Sequence, residues 1–258
     1  MKIFDGFKFT KIDSPIHRLD PRAKLFMLLT IFSLSILFMN LLVLTALFLL
    51  QLPMVVIAKS TRRWISSMRG GIFLAGLIFF ANSLTGQTLT FSLTMMIRFL
   101  VLISSFSFFF MTTSPDDLGL ALEQMRIPYS LCFTFTTAVR LVPTMAIEAQ
   151  TIMDAQRARG LELDKGNLLK RIRNYIPILI PLIVLAIKRS IELAEALESR
   201  AFNTSGKRQS YIVLKLNSLD FIVISLAMLF LILGVYAYLN LSIPSLETNF
   251  RLADLLPW

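Results

Sequence analysis

Two short stretches of this chain end a helical pattern on an arginine held between small residues. The first reads Ala155-Gln156-Arg157-Ala158-Arg159-Gly160 and the second Ala196-Leu197-Glu198-Ser199-Arg200-Ala201. Before the first, Leu141, Met145, Ala149, Ile152 and Arg159 recur with the helical period; before the second, Leu193, Leu197 and Arg200 do. A guanidinium offers five N–H donors in a rigid fork, which suits a pocket of carboxylates or carbonyls. Small flanks let a partner's backbone come close. The chemistry on offer is docking. A second account needs no partner, because an arginine near a helix C-terminus gains about 0.3–1 kcal/mol from the macrodipole. That account serves either stretch alone; two such ends on one chain point to two similar partner sites.

Other chemistry is poorly provided for. A phosphate-binding loop requires G-x-x-x-x-G-K-[ST]. The nearest match is Gly206-Lys207, with Ala201 in place of the first glycine and Arg208 in place of the Ser/Thr. His17 and Cys132 are the sole histidine and cysteine. They allow no internal disulfide and no cysteine cluster for zinc, and they leave little from which to build a His/Cys metal site or a histidine-based triad. Neither H-E-x-x-H nor G-x-S-x-G occurs. The expectation is a non-catalytic chain with no catalytic, cofactor-binding or metal-ligating residues. Arg98 is the one charge inside a long apolar run. An intramembrane charge is a functional candidate by default, but an arginine near the outer end of a span can snorkel to water, and snorkelling is the preferred reading.

The elements that must position the two arginines follow from composition. Of 258 residues, 55% are hydrophobic and only 16% charged, against about a quarter charged in soluble domains. That balance excludes disorder, a coiled coil and most soluble enzymes, and points to an all-α, polytopic membrane protein. The net charge of +10 then reads as basic loops facing the cytoplasm and anionic lipid, with no nucleic-acid partner. Residues 1–24 mix basic and acidic side chains ahead of an apolar run too long for a signal peptide.

Residues 25–58 carry no charge. One helix of that length would overrun a core of about 30 Å, so two short spans are expected, breaking near Asn40. The polar stretch 82–88 reads as a turn between a third helix near 70–82 and a fourth near 93–112. Gly71-x-x-x-Ala75 is a small-x-x-x-small pair of the kind that brings membrane helices together. The last span is expected near 219–240, with Asp220 at its mouth. Lys59, Arg62, Arg63 and Arg69 mark an inside loop. Five spans then satisfy the charge rule, with the N-terminus inside and the C-terminus outside.

Three regions result: 1–112 with four spans, 113–217 cytoplasmic or interfacial, and 218–258 with the last span and an external tail. Ser114-Pro115-Asp116-Asp117 is a helix start, with a capping serine, proline at the first position and an acid at the third. That helix stops before Pro128. Residues 175–187 are apolar but too few for a span. They and 129–147 are expected to be amphipathic, along the membrane surface or tilted into the bundle. A sixth and seventh span from this pair would leave both ends in place.

The order of these segments resembles the transmembrane energy-coupling (T) component of energy-coupling-factor (ECF) transporters, a class of ABC importers. The resemblance covers most of the chain. It runs through Ser14-Pro15-Ile16-His17-Arg18-Leu19-Asp20-Pro21-Arg22-Ala23-Lys24, Thr112-Thr113-Ser114-Pro115, Arg140-Leu141-Val142-Pro143, the first arginine stretch, Pro181-Leu182 and the second arginine stretch. It implies a plasma-membrane coupling subunit with two partners: a pair of cytoplasmic ABC ATPases that bind ATP and Mg, and a membrane-embedded S component that captures a vitamin or a cobalt or nickel ion. The ATPase-coupling residues it implies are Ala158, Arg159, Gly160, Ser199, Arg200 and Ala201. The family's motif is small-Arg-Gly, and the second copy departs from it at Ala201. Alanine takes a left-handed conformation less readily than glycine, so the second helix is expected to end differently or to run on toward Asn203 or Gly206. A stand-alone secondary transporter or a membrane-embedded enzyme is the alternative. Inverted repeats and broken helices, or a catalytic constellation, would mark those classes, and neither is found.

Overall fold

The computed structural model describes residues 14–161, 167–202, 214 and 216–240. These form α1 (Pro21–Leu37), α2 (Leu41–Ile57), α3 (Thr61–Leu84), α4 (Leu89–Thr112), α5 (Pro115–Gln124), α6 (Tyr129–Ala158), α7 (Leu168–Ser199) and α8 (Ser218–Asn240). No strand forms among the described residues. The expected external tail and most of the N-terminal basic segment lie outside them. The protein is an all-α, polytopic membrane protein. By length and composition α3, α4, α6 and α8 suit a membrane crossing, and α2 is a shorter apolar helix.

Local sequence sets the helix boundaries. Asp20 accepts a hydrogen bond from Arg22 N at 2.9 Å and Pro21 takes the first position of α1. The uncharged run breaks after Leu37, where Asn40 caps α2 by accepting from Leu42 N at 3.0 Å. α1 and α2 have 17 residues each, about 25 Å at 1.5 Å per residue. The third helix begins nine residues earlier than its charge-free stretch, at Thr61, because Arg62, Arg63 and Arg69 continue the helix instead of forming a loop. Its far end is the expected polar turn, with Gly86 at φ 76° and Thr88 capping α4. α5 starts as expected: Ser114 Oγ accepts from Asp117 N at 3.1 Å behind Pro115.

Contacts divide the helices into two compact units, α1–α5 with α8 and α6 with α7. In the first, α4 packs against α1, α2 and α3, while α8 lies on α1. Ile31, Leu34, Phe38, Leu44, Leu47 and Val101 form its buried core. The helices approach closely at small residues. A Cβ on Gly71 would stand 3.1 Å from Ile103, and one on Gly234 only 2.4 Å from Leu34. Gly71 and Ala75 both lie buried on α3, so this pair faces protein, not lipid. One polar contact crosses from α3 to α4: Trp64 Nε1 donates to Ser104 Oγ at 2.9 Å.

Arg98 departs from the snorkelling expectation. Its Nη2 donates to the carbonyl of Phe38 at 2.7 Å. Phe38 is the C-cap of α1, so the cation closes the negative end of a neighbouring helix and stays half-buried.

Candidate functional site: two arginine-capped helix ends

α6 and α7 end in the same motif. Arg159 is the C-cap of α6 and Arg200 that of α7. After Arg159, Gly160 N donates to Arg157 O at 2.9 Å and Leu161 N to Gln156 O at 3.0 Å. After Arg200, Ala201 N donates to Glu198 O at 2.9 Å and Phe202 N to Leu197 O at 3.0 Å. This pair of bonds is the Schellman arrangement, which requires a left-handed residue after the cap. Gly160 meets it with φ 88° and Ala201 with φ 56°. The expectation that Ala201 makes the second helix end differently is therefore corrected: α7 stops at Ser199 in the same geometry. The alanine accepts a left-handed conformation costing about 1–2 kcal/mol. Two interactions offset it: the capping bonds, and Phe202, whose ring packs 4.8 Å from Phe133 and 5.9 Å from Tyr129.

Ala158, Arg159, Gly160, Ser199, Arg200 and Ala201 are all exposed. Among the described residues neither Arg159 nor Arg200 forms an ion pair or a side-chain hydrogen bond. Neither guanidinium folds back onto the last carbonyls of its own helix. Both present their donors outward.

The two ends belong to one helix pair. Contacts between α6 and α7 run in opposite order along the two: Phe133 with Phe202, Glu148 with Arg189, Gln156 with Pro177. The helices are thus antiparallel, and the arginines sit at opposite ends of the pair. From Pro177, beside the α6 terminus, to Arg200 is roughly 35 Å of helix. α7 is continuous through Pro177 and Pro181. The apolar segment 175–187 is its middle, with Ile176, Leu179, Ile180, Ile183 and Ile187 exposed.

In the first unit, the structure joins two of the segments that carry the resemblance. Buried Lys24 donates from Nζ to His17 O at 3.2 Å and to Thr112 O at 2.8 Å. It thereby ties the 14–24 segment to the last residue of α4. Asp220, in the first turn of α8 and 1% exposed, accepts from Asp20 N at 2.8 Å and from Asn217 N at 2.7 Å. One carboxylate serves the N-termini of both α1 and α8, where the helix dipoles favour negative charge. The role of Lys24 and the pairing across 200 positions were not read from the sequence. The capping pattern Asn217-Ser218-Leu219-Asp220 was the available local signal. Among the described residues no group of three or more His, Cys, Asp or Glu could hold a metal ion.

The CbiQ family, described as cobalt transport protein, matches residues 13–212. Curated relatives carry the name energy-coupling factor transporter transmembrane protein EcfT. That of Lactococcus lactis subsp. cremoris is 32% identical over 251 residues, covering 87% of this chain and 94% of the relative. That of Streptococcus equi is 30% identical, covering 88% and 92%. That of Thermotoga maritima is 28% identical, covering 90% and 96%. With the membrane helices in place and the match spanning nearly all of them, the chain belongs to the CbiQ/EcfT family of transmembrane components of ECF transporters.

Proposed function

We propose that this chain transmits the motion of two cytoplasmic ABC ATPase subunits to a membrane-embedded S component, driving import of a vitamin or transition-metal ion. Arg159 and Arg200 each enter a groove on one ATPase. Closure of the ATPase pair around ATP and Mg draws the two ends together, and the helix pair passes that displacement into the membrane, where it tilts the S component. The chain sits in the cell membrane with its N-terminus in the cytoplasm, and its own residues hold no nucleotide.

The observation that carries this reading is the repetition of one helix ending at both ends of an antiparallel pair, each with an exposed arginine. Two equivalent partners need two equivalent contacts, and a symmetric ATPase dimer presents its grooves a fixed distance apart. The lack of a phosphate-binding loop agrees with an engine on other subunits. The test is reconstitution. The pure chain is expected to turn over no ATP, and ATP-dependent uptake is expected only with both ATPases and an S component present. Uptake by the chain alone would make it a secondary transporter, and ATP turnover by the rigorously pure chain would make it an enzyme.

A further inference from the structure

The α6–α7 pair contains a main-chain acceptor that its own helix cannot satisfy. In an α-helix the carbonyl of residue i accepts from N–H of residue i+4. For Pro177 that donor would be residue 181, which is also proline and has no N–H. The vacant acceptor faces α6. Gln156 Nε2 donates to Pro177 O at 3.2 Å. Of the two amide atoms of glutamine only nitrogen can donate to a carbonyl, so the partner fixes the side chain's orientation.

Gln156 is also part of the turn that presents the first arginine. Its own carbonyl accepts from Arg159 N at 3.1 Å and from Leu161 N at 3.0 Å. The main chain of this residue holds the arginine-bearing turn while its side chain holds α7. A second polar tie of the pair, Glu148 with Arg189, lies two turns further from Arg159. Gln156 is therefore a polar link close to the first docking end.

We propose that Gln156 is a positioning residue for energy coupling: it locks the Arg159 turn to the proline-freed carbonyl of α7. Displacement of Arg159 is then carried into α7, and toward Arg200 at its far end, instead of being lost as the helices part. Pro181 has a stated part in this, because it creates the acceptor. The inference rests on the coupling reading above, but it fails or stands on different measurements.

Three variants in the complete transporter test it: Gln156→Ala, Pro181→Ala and the double variant. Gln156→Ala leaves the Pro177 carbonyl without a donor, and a lower melting temperature is expected. Pro181→Ala returns the helical N–H to that carbonyl, so the double variant regains stability without regaining the tie between helices. Both ATPases are expected to co-purify with every variant, since Arg159 and Arg200 are untouched. Substrate imported per ATP hydrolysed is expected to fall roughly threefold or more in Gln156→Ala and to stay low in the double variant. Pro181→Ala alone, which retains Gln156, is expected to couple normally. Two results overturn the proposal: an unchanged transport ratio in Gln156→Ala, or a ratio that recovers together with melting temperature in the double variant. The second would reduce Gln156 to satisfying a carbonyl. If Gln156→Ala does not assemble, the double variant alone decides. Loss of the coupling reading would look different, as failure of the unaltered chain to bind the ATPases at all.

Discussion

The two units of this protein are built on different terms. In the unit of α1–α5 and α8, Leu34, Leu44 and Val101 are almost completely buried, as are Asp20, Lys24 and Asp220. Charges there are matched to helix ends, carboxylates at N-termini and cations at C-termini, as the macrodipole favours. In the α6–α7 pair only Cys132, Ala146 and Ile178 reach the buried class among the described residues. Arg159 and Arg200 are exposed, and an apolar stripe on α7 stays uncovered. A helix hydrophobic along one exposed stripe must cover it with lipid or partner. The first unit also leaves apolar side chains of α3 and α8 uncovered, so what separates the two is the buried core and matched charges of the first against the exposed Arg159 and Arg200 of the second.

The comparison breaks most readily at its cores. Leu34→Ala is expected to destabilise the chain by about 2–5 kcal/mol, the range for truncating a buried leucine. Ile180→Ala, at a side chain 58% exposed, is expected to stay within about 0.5 kcal/mol of the unaltered chain. Thermal melts of the two purified variants in one detergent check this, and equal losses would mean that α7 has a core of its own. Next in size is Asp220→Ala, which strips the acceptor from buried Asp20 N–H and from the α8 cap. A loss of about 1.5–3 kcal/mol is expected. Asp220→Asn keeps an oxygen and is expected to recover part of it, as read by the same melts.

The smallest effect compares the two arginine ends with each other. Ala201→Gly relieves a left-handed alanine and is expected to stabilise the α7 terminus by up to about 1 kcal/mol. Gly160→Ala imposes that strain on α6 and is expected to cost about 1 kcal/mol. Hydrogen exchange at the amides of residues 160–161 and 201–202 reads both. Opposite signs at the two ends sharpen the account, whereas identical responses would mean that φ does not limit either cap.

Much of this was legible in the sequence, for identifiable reasons. The break at Asn40, the turn at 82–88 and the start of α5 at Ser114 rest on local signals, namely a cap, a glycine and a proline at fixed offsets. Charge-free runs located α2, α3, α4 and α8, but they misplaced the start of α3, because an arginine can continue a helix as well as end a span, and they left 129–147, interrupted by Arg140, as an amphipathic segment although α6 is long and apolar enough to cross. The arginine ends were found by helical spacing and small flanks. Their likeness was underestimated at Ala201, since the aromatic contacts of Phe202 with Tyr129 and Phe133 are non-local. The same limit hid Asp220 beside Asp20 and Gln156 beside Pro177. Each partner is ordinary alone, and only folding makes the pair.

The central claim is that the two arginines are docking groups and not merely helix caps. Co-purification of the ATPase pair with Arg159→Glu/Arg200→Glu tests it most directly, alongside each single Arg→Ala variant and a melt of the isolated chain. The account predicts that the double variant keeps the melting temperature of the unaltered chain within a few degrees. It also predicts that the variant loses roughly a hundredfold or more in ATPase affinity, since each lost charge-assisted contact removes about 1.5–3 kcal/mol. The single variants should weaken assembly without abolishing it. A double variant that binds the ATPases with undiminished affinity would contradict the account and leave the arginines as caps on their own helices.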